Sequence, residues 1–313
     1  MNRMPLRIVF MGTPDFAVPS LHALVEAGFP IVGVITATDK PGGRGGKQVL
    51  ESAVKQYARG HGLRILQPPN LKDPAFTETL RSLNADLQVV VAFRMLPEVV
   101  WNMPPMGTIN LHGSLLPAYR GAAPINWAII KGETQTGVTT FQLRHEIDTG
   151  NILMQRALPI GPDDTAGYIH DRMMDLGAQV VLETVRGIER GILEPVPQSD
   201  QAASQAPKLR HETCEIQFSQ DVHLVHNFIR GLSPYPTAWT TLDGLQLNIY
   251  RSVIIDTTST GKAGTILDSS ATLDVACSQG IIRMTEVQLA GKKRMEARDF
   301  LNGYQFQSRV LGL

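Results

Sequence analysis

The sequence predicts an α/β fold, a mostly parallel, doubly wound sheet, followed by a small β-barrel or sandwich domain. In the first half, short continuous apolar runs alternate with segments whose apolar residues recur at helical spacing, as repeated β-α units require. Beyond residue 207, short strand-like runs follow one another at regular intervals instead. The 313 residues are enough for two domains of ordinary size and for a sizeable buried core.

The elements follow in chain order. "LRIVFMG" (Leu6 to Gly12) is a β-rich run ending in glycine, and "FAVPSLHALVEAG" (Phe16 to Gly28) is helical with Gly28 at its C-terminal stop. "IVGVITAT" (Ile31 to Thr38) is a second strand, "QVLESAVKQYARGHG" a helix ending near Gly60, and "LRILQP" a third strand. "DPAFTETLRSLN" is a helix capped by Asp73 with Pro74 in its first position. "ADLQVVVAF" (Ala85 to Phe93) is apolar throughout, as a strand buried on both faces must be. "GTINLHG" and "GVTTFQL" read as further strands with the helix "APINWAIIKG" between them, and a long helix runs from Ala166 to Gly191. Residues 192–207, with prolines at 195, 197 and 207 and no apolar periodicity, read as a linker between a domain at 1–191 and another at 208–313. In the latter, "DVHLVHNFIRGL" is a short helix, and "TAWTTL", "LQLNIYRSVII", "AGTILD", "TLDVACS" and "GIIRMTEVQL" are strands.

Composition narrows the functional classes. Lys plus Arg and Asp plus Glu both number 29, so there is no global basic excess, and a nucleic-acid partner must be met by a local patch. The two cysteines, Cys214 and Cys277, lie in no metal-ligand pattern, so neither a disulfide framework nor a structural zinc site is expected. No apolar run has the length of a membrane span, and the opening "MNRMPLRIVFMG" lacks the apolar core and cleavage site of a secretory signal, so a cytoplasmic location is expected. No apolar helix face is left obviously unpartnered, and the default expectation is a monomer.

In a doubly wound sheet ligands bind beyond the carboxyl ends of the strands. Asn110 and His112 stand at such an end, two residues apart, so an extended strand points both to one face. Alone, they read equally well as polar residues bonded into a turn. Asp148 follows the strand "GVTTFQL" in a turn closed by Thr149 and Gly150. Taken together, an amide donor for an oxyanion, an imidazole that works near neutral pH and a carboxylate to orient it suit acyl-type transfer between two bound substrates, and no nucleophile elbow accompanies them. "SLLP" and "AYRGAAP" add a restrained loop with apolar Leu115 and Leu116.

The stretch "NLHGSLLPAYRGAAPINWAIIKGETQTGVTTFQLRHEIDTG" resembles the signature of formyltransferases that use 10-formyltetrahydrofolate. The resemblance implies that Asn110, His112 and Asp148 are the catalytic residues and that Ser114, Leu115, Leu116 and Pro117 line the folate site. The strand end after "VVVAF" implies Phe93 and Met95 as further folate contacts, although "RML" replaces a longer, glycine-containing family pattern there. The opening "FMGTPDFAVPSLHAL", the loop "TDKPGGRGGKQV", "RGLSPYPTAW" and "AGKKRMEARDFLNG" resemble the branch whose acceptor is methionine carried on initiator tRNA, with no metal in the reaction. Glycinamide ribonucleotide transformylases share the trio but not the second domain, and amino-arabinose formyltransferases generally lack the opening motif and the basic loop. Lys40, Arg44 and Lys47, set among Pro41 and four glycines, read by composition as a solvated loop or as a segment that closes on phosphates. The resemblance favours the second, gives Arg44 a part in discrimination, and implies an OB-like second domain with Lys208, Arg210, Lys292, Lys293 and Arg294 on the RNA backbone.

Overall fold

A computed structural model describes residues 5–42, 48–267 and 271–312. Its first strand, β1 (Ile8–Gly12), is buried along its whole length. It leads into helix α1 (Val18–Glu26), which Gly28 leaves through a left-handed turn at φ +79°. β2 (Ile31–Ile35) follows, then a short antiparallel hairpin of β3 (Lys40–Gly42) and β4 (Gln48–Leu50). The helix expected to begin at Gln48 is shorter: α2 (Ala53–Gly60) starts after Ser52, whose side chain accepts from the Lys55 amide and so caps it. β5 (Ile65–Leu66) and α3 (Pro74–Ser82), capped by Asp73 as expected, precede β6 (Leu87–Val91), α4 (Glu98–Trp101) and β7 (Thr108–His112). β8 (Arg120–Gly121), α5 (Pro124–Ile130), β9 (Gln135–Gln142), β10 (Ile152–Pro159) and the long α6 (Ala166–Arg190) complete this half.

The strands form a seven-stranded sheet in the order β10-β9-β7-β6-β1-β2-β5. The run from β7 to β5 is parallel, and β9 joins β7 antiparallel, so the sheet is mostly parallel as expected. Phe76 and Leu80 of α3 pack with Val9, Met11, Ile35 and Val90 on one face. On the other face Leu111 lies so close to α6 that a Cβ on Gly177 would stand 2.7 Å from it, and Thr140 bonds Thr184 at 2.7 Å. Helices therefore cover both faces, while the carboxyl ends of β1, β6 and β7, in register at Gly12, Val91 and Leu111, form one edge.

Clustering of contacts gives two compact units: residues 1–120, 137–158 and 171–205, and residues 121–136, 159–170 and 206–313. The units cross the expected division by chain order, because α5 and residues 159–170, which include the first residues of α6, fall in the second. Residues 192–205 of the expected linker belong to the first unit, where Val196 exchanges backbone hydrogen bonds with Ile152 at 2.8 Å in both directions. β11 (Gln205–Ala206) then pairs with β8.

The second unit contains α7 (Val222–Leu232), capped by Asp221, and an antiparallel sheet of β12 (Ala238–Leu242), β13 (Leu245–Asp256), β14 (Leu273–Ala276) and β15 (Ile281–Leu289) in the order β12-β13-β15-β14. β16 (Met295–Glu296) pairs with β15, and α8 (Ala297–Gly303) follows. Burial along β12 alternates residue by residue, as one face turned to a core demands. Val225 and Ile229 of α7 fill that core with Leu247, Ile249, Val275 and Met284. In "AGTILD", expected as a strand, the described residues 263–267 form isolated bridges at Thr265 and Ile266 and no named strand. Cys214 and Cys277 are free and buried here, and burial pushes the Cys277 thiol up to about 12.

Candidate active site

Asn110 and His112 occupy the last turns of the pleat in β7, opposite Phe141 and Thr139 of β9. Leu111 between them takes the α6 face, so both polar side chains take the other. Asn110 is half-buried, and its side chain makes no hydrogen bond among the described residues. A half-buried amide without a partner keeps both N–H groups for something else.

His112 is held at both ring nitrogens. Nε2 lies 2.8 Å from the carbonyl oxygen of Tyr119, which can only accept, so Nε2 carries the proton and donates. Tyr119 presents that carbonyl from a left-handed backbone at φ +61°. Nδ1 faces Asp148 Oδ2 at 3.6 Å, and both side chains are largely buried. Nδ1 is therefore the ring nitrogen that keeps its lone pair, and it faces the carboxylate. Asp148 itself sits at φ +55°, a conformation that Asp tolerates better than most residues. Gly150 closes the same turn: a Cβ there would stand 1.6 Å from the Gln142 carbonyl oxygen, so only glycine fits.

The Ser114–Pro117 loop is fixed from inside. The Thr139 hydroxyl donates to Ser114 O at 2.6 Å and accepts from Leu116 N and Gln155 Nε2 at 3.1 and 2.9 Å, and Gln155 also donates to Leu116 O at 2.8 Å. Ser114 is fully buried with its hydroxyl given to Ala118 O, and Leu116 is buried as well, whereas Leu115 and Pro117 are half-buried. Thr139 and Gln155 escaped the sequence reading; Thr139 was visible only as a polar residue within an apolar strand.

At the end of β6, Phe93 is half-buried and Met95 is 75% exposed. Arg94, which replaces the expected glycine-containing pattern, donates to Pro69 O at 2.9 Å and to Pro68 O, with its guanidinium 5.7 Å from the Phe93 ring. It ties this segment to the loop after β5.

Among the basic residues, Lys40 is exposed in β3, while Arg44 and Lys47 lie outside the described residues. Lys208, Arg210, Lys292 and Lys293 are all exposed on the second unit. His211 Nε2 lies 3.0 Å from Gln246 Oε1, and Ala290 N donates to Gln246 O at 2.9 Å, so the segments carrying these four cations meet at the start of β13. Arg294 is spent differently: it makes a two-pronged pair with Glu286 at 2.6 Å and lies over Tyr250. Among the described residues no group of three or more His, Cys, Asp or Glu could hold a metal ion, and no helix is long and apolar enough to cross a membrane.

An amide, an imidazole and a carboxylate thus come together at the carboxyl end of β7 in a mostly parallel sheet. Residues 6–185 match the family described as formyl transferase, and residues 208–305 match the C-terminal domain of formyl transferases; the chain belongs to this family. A methionyl-tRNA formyltransferase of Parabacteroides distasonis is 55% identical over 316 residues, covering 97% of this chain and 98% of the relative. Among solved structures, the N-formyltransferase of Helicobacter canadensis in complex with folinic acid and dTDP-3-aminofucose shares the fold at TM-score 0.68 and 19% identity, over 89% of this chain and 98% of that one. HypX of Aquifex aeolicus in complex with tetrahydrofolic acid aligns at TM-score 0.65 and 19% identity over 95% of this chain, which spans 47% of the HypX chain.

Proposed function

We propose that the protein transfers a formyl group from 10-formyltetrahydrofolate to the α-amino group of methionine carried on initiator tRNA, in the cytoplasm and as a monomer. The observation that carries the chemistry is the pairing of His112 with Asp148 at 3.6 Å on the strand face that also presents the Asn110 amide. The acceptor is supported by the 55% identity to a methionyl-tRNA formyltransferase along nearly the whole of both chains.

The acceptor amine first bonds to the formyl carbon; the bond from that carbon to the folate nitrogen then breaks, and the proton lost by the amine ends on that nitrogen. Between these events the formyl oxygen gains negative charge. Asn110 supplies donors to it, preorganised by the strand rather than recruited from water. His112 Nδ1 is the ring nitrogen able to take a proton, and Asp148 holds the ring and balances the imidazolium. Leu115, Pro117, Phe93 and Met95, with the buried Ser114 and Leu116 behind them, make the folate wall. Apolar side chains on a loop fixed by Thr139 and Gln155 suit a flat, mostly apolar ring system.

The second unit is read as an OB-like barrel: five strands with α7 against the core are the parts such a barrel needs. Lys208, Arg210, Lys292 and Lys293 at one edge of it, with Lys40, Arg44 and Lys47 of the glycine-rich loop, would meet the phosphates of the tRNA. In this reading residues 1–191 carry catalysis, 208–313 hold the RNA, and 192–207 connect them. The test is turnover by Asn110→Ala, His112→Ala and Asp148→Asn. Loss of one oxyanion donor costs roughly 10²–10³ in rate, and comparable or larger losses are expected at the other two positions. Near-normal turnover in all three variants removes the assignment.

A further inference from the structure

Residues 196–198 run beside the turn that carries Asp148, and one side chain from this stretch reaches into it. Gln198 Nε2 donates to the carbonyl oxygens of Asp148 and Gly150 at 2.8 and 2.7 Å. Its Oε1 accepts from Arg120 Nε and Nη2 at 3.1 and 2.8 Å. The amide thus uses both donors and both acceptor sites, and its orientation is forced: reversed, it would set its NH2 against a guanidinium and its oxygen against two carbonyls. Arg120 is 6% exposed, and its remaining prong meets Asp200 at 2.9 Å. Its own backbone is pinned, since Arg120 N donates to Ser204 O at 2.9 Å, and the preceding Tyr119 N to Ser204 Oγ at the same distance.

We infer that Gln198, anchored by Arg120, is a positioning residue for Asp148, and through it for His112. The inference rests on the reading of Asp148 given above. Asp148 stands in a left-handed backbone conformation, at φ +55°. Gln198 bridges the carbonyls on either side of Thr149, which closes the turn around the carboxylate. The same anchor reaches the far side of the imidazole, because Tyr119, whose carbonyl accepts the hydrogen bond from His112 Nε2, directly precedes Arg120. One buried guanidinium therefore links the supports of both His112 nitrogens.

The discriminating variant is Gln198→Glu. It keeps the shape and strengthens the link to Arg120, but it sets an acceptor oxygen against two carbonyls and loses both donors. The experiment measures thermal midpoints and steady-state transfer from 10-formyltetrahydrofolate to methionyl initiator tRNA for Q198E, Q198A, D148N and the double variant Q198A/D148N of the full-length protein. We expect Q198E to melt no lower than the parent, and both single Gln198 variants to lose roughly 10- to 100-fold in kcat with little change in either KM, as a misplaced catalytic group predicts. In the D148N background, Q198A should add little further loss. Full kcat in Q198A and Q198E alongside a damaged D148N overturns the inference and leaves the site reading standing. Full additivity in the double variant also overturns it, because Gln198 would then act elsewhere. Full kcat in D148N instead removes the site reading itself.

Discussion

At the scale of single residues, the decisive property is how each polar group is satisfied. Asn110 keeps its amide free among the described residues, whereas His112 spends Nε2 on Tyr119 and turns Nδ1 toward Asp148. The contrast with His226 is instructive. That ring is also buried, but the carboxylate beside it is open to solvent: Nδ1 lies 3.0 Å from Ser252 Oγ, and Nε2 lies 3.3 Å from Pro162 O and 3.5 Å from Asp163 Oδ1, whose side chain is 81% exposed against 13% for Asp148. Burial lowers its pKa from the ordinary value; the Pro162 carbonyl and Asp163 oppose the shift, while Arg230 and His223 add to it. A folded-state value below the unfolded one means that the unfolded chain binds the extra proton first. The contribution of this site is therefore present above an unfolded value of about 6.5 and is lost as pH falls through the lower folded value. Thermal unfolding followed between pH 7.5 and 5.5 should show a midpoint falling with pH in the parent and a shallower fall in His226→Gln. Parallel slopes would mean that His226 is not the group responsible.

At the scale of elements, the base of the β3–β4 hairpin is fastened by Lys55 of α2. Its ammonium binds Asp39, the residue before β3, and lies 3.2 Å from Glu51 just after β4. The Lys55 hydrogen bond, helped by Gln67, holds the Asp39 carboxyl below its usual range. Lys55→Met should therefore speed hydrogen exchange in β3 and β4 and raise the KM for the charged tRNA, while kcat at saturating tRNA holds. Unchanged exchange would detach this ion pair from the hairpin. The element scale also shows why parts of the molecule were legible. Asn110 and His112 could be placed on one face because a strand has period two, and α3 could be placed because Asp73 and Pro74 mark its start. Gln48 to Leu50 pair as a strand rather than extend α2, because the cap lies at Ser52, two residues later. Gln198 was hidden because its partners lie 48 to 78 residues away and its surroundings are prolines and small polar residues, a composition that reads as linker. Contacts of that range leave no periodic trace in a sequence.

At the scale of the whole molecule, the chain carries two units with different work in the proposal: a mostly parallel sheet whose strand ends hold the chemistry, and an antiparallel sheet with four exposed cations near the start of β13. With no net charge overall, attraction to a nucleic acid must come from such local groups. Binding of the acceptor should consequently weaken as salt rises, with a logarithmic slope of roughly 0.7–0.9 for each phosphate engaged. The identity of the amine that receives the formyl group decides the proposal. The purified protein, given 10-formyltetrahydrofolate, should be offered methionyl initiator tRNA in one reaction and a nucleotide-linked amino sugar in another. The expected result is rapid, salt-sensitive formylation of the tRNA-borne methionine and none of the sugar above background. Formylation of the sugar, or hydrolysis of the donor with the charged tRNA untouched, would contradict it.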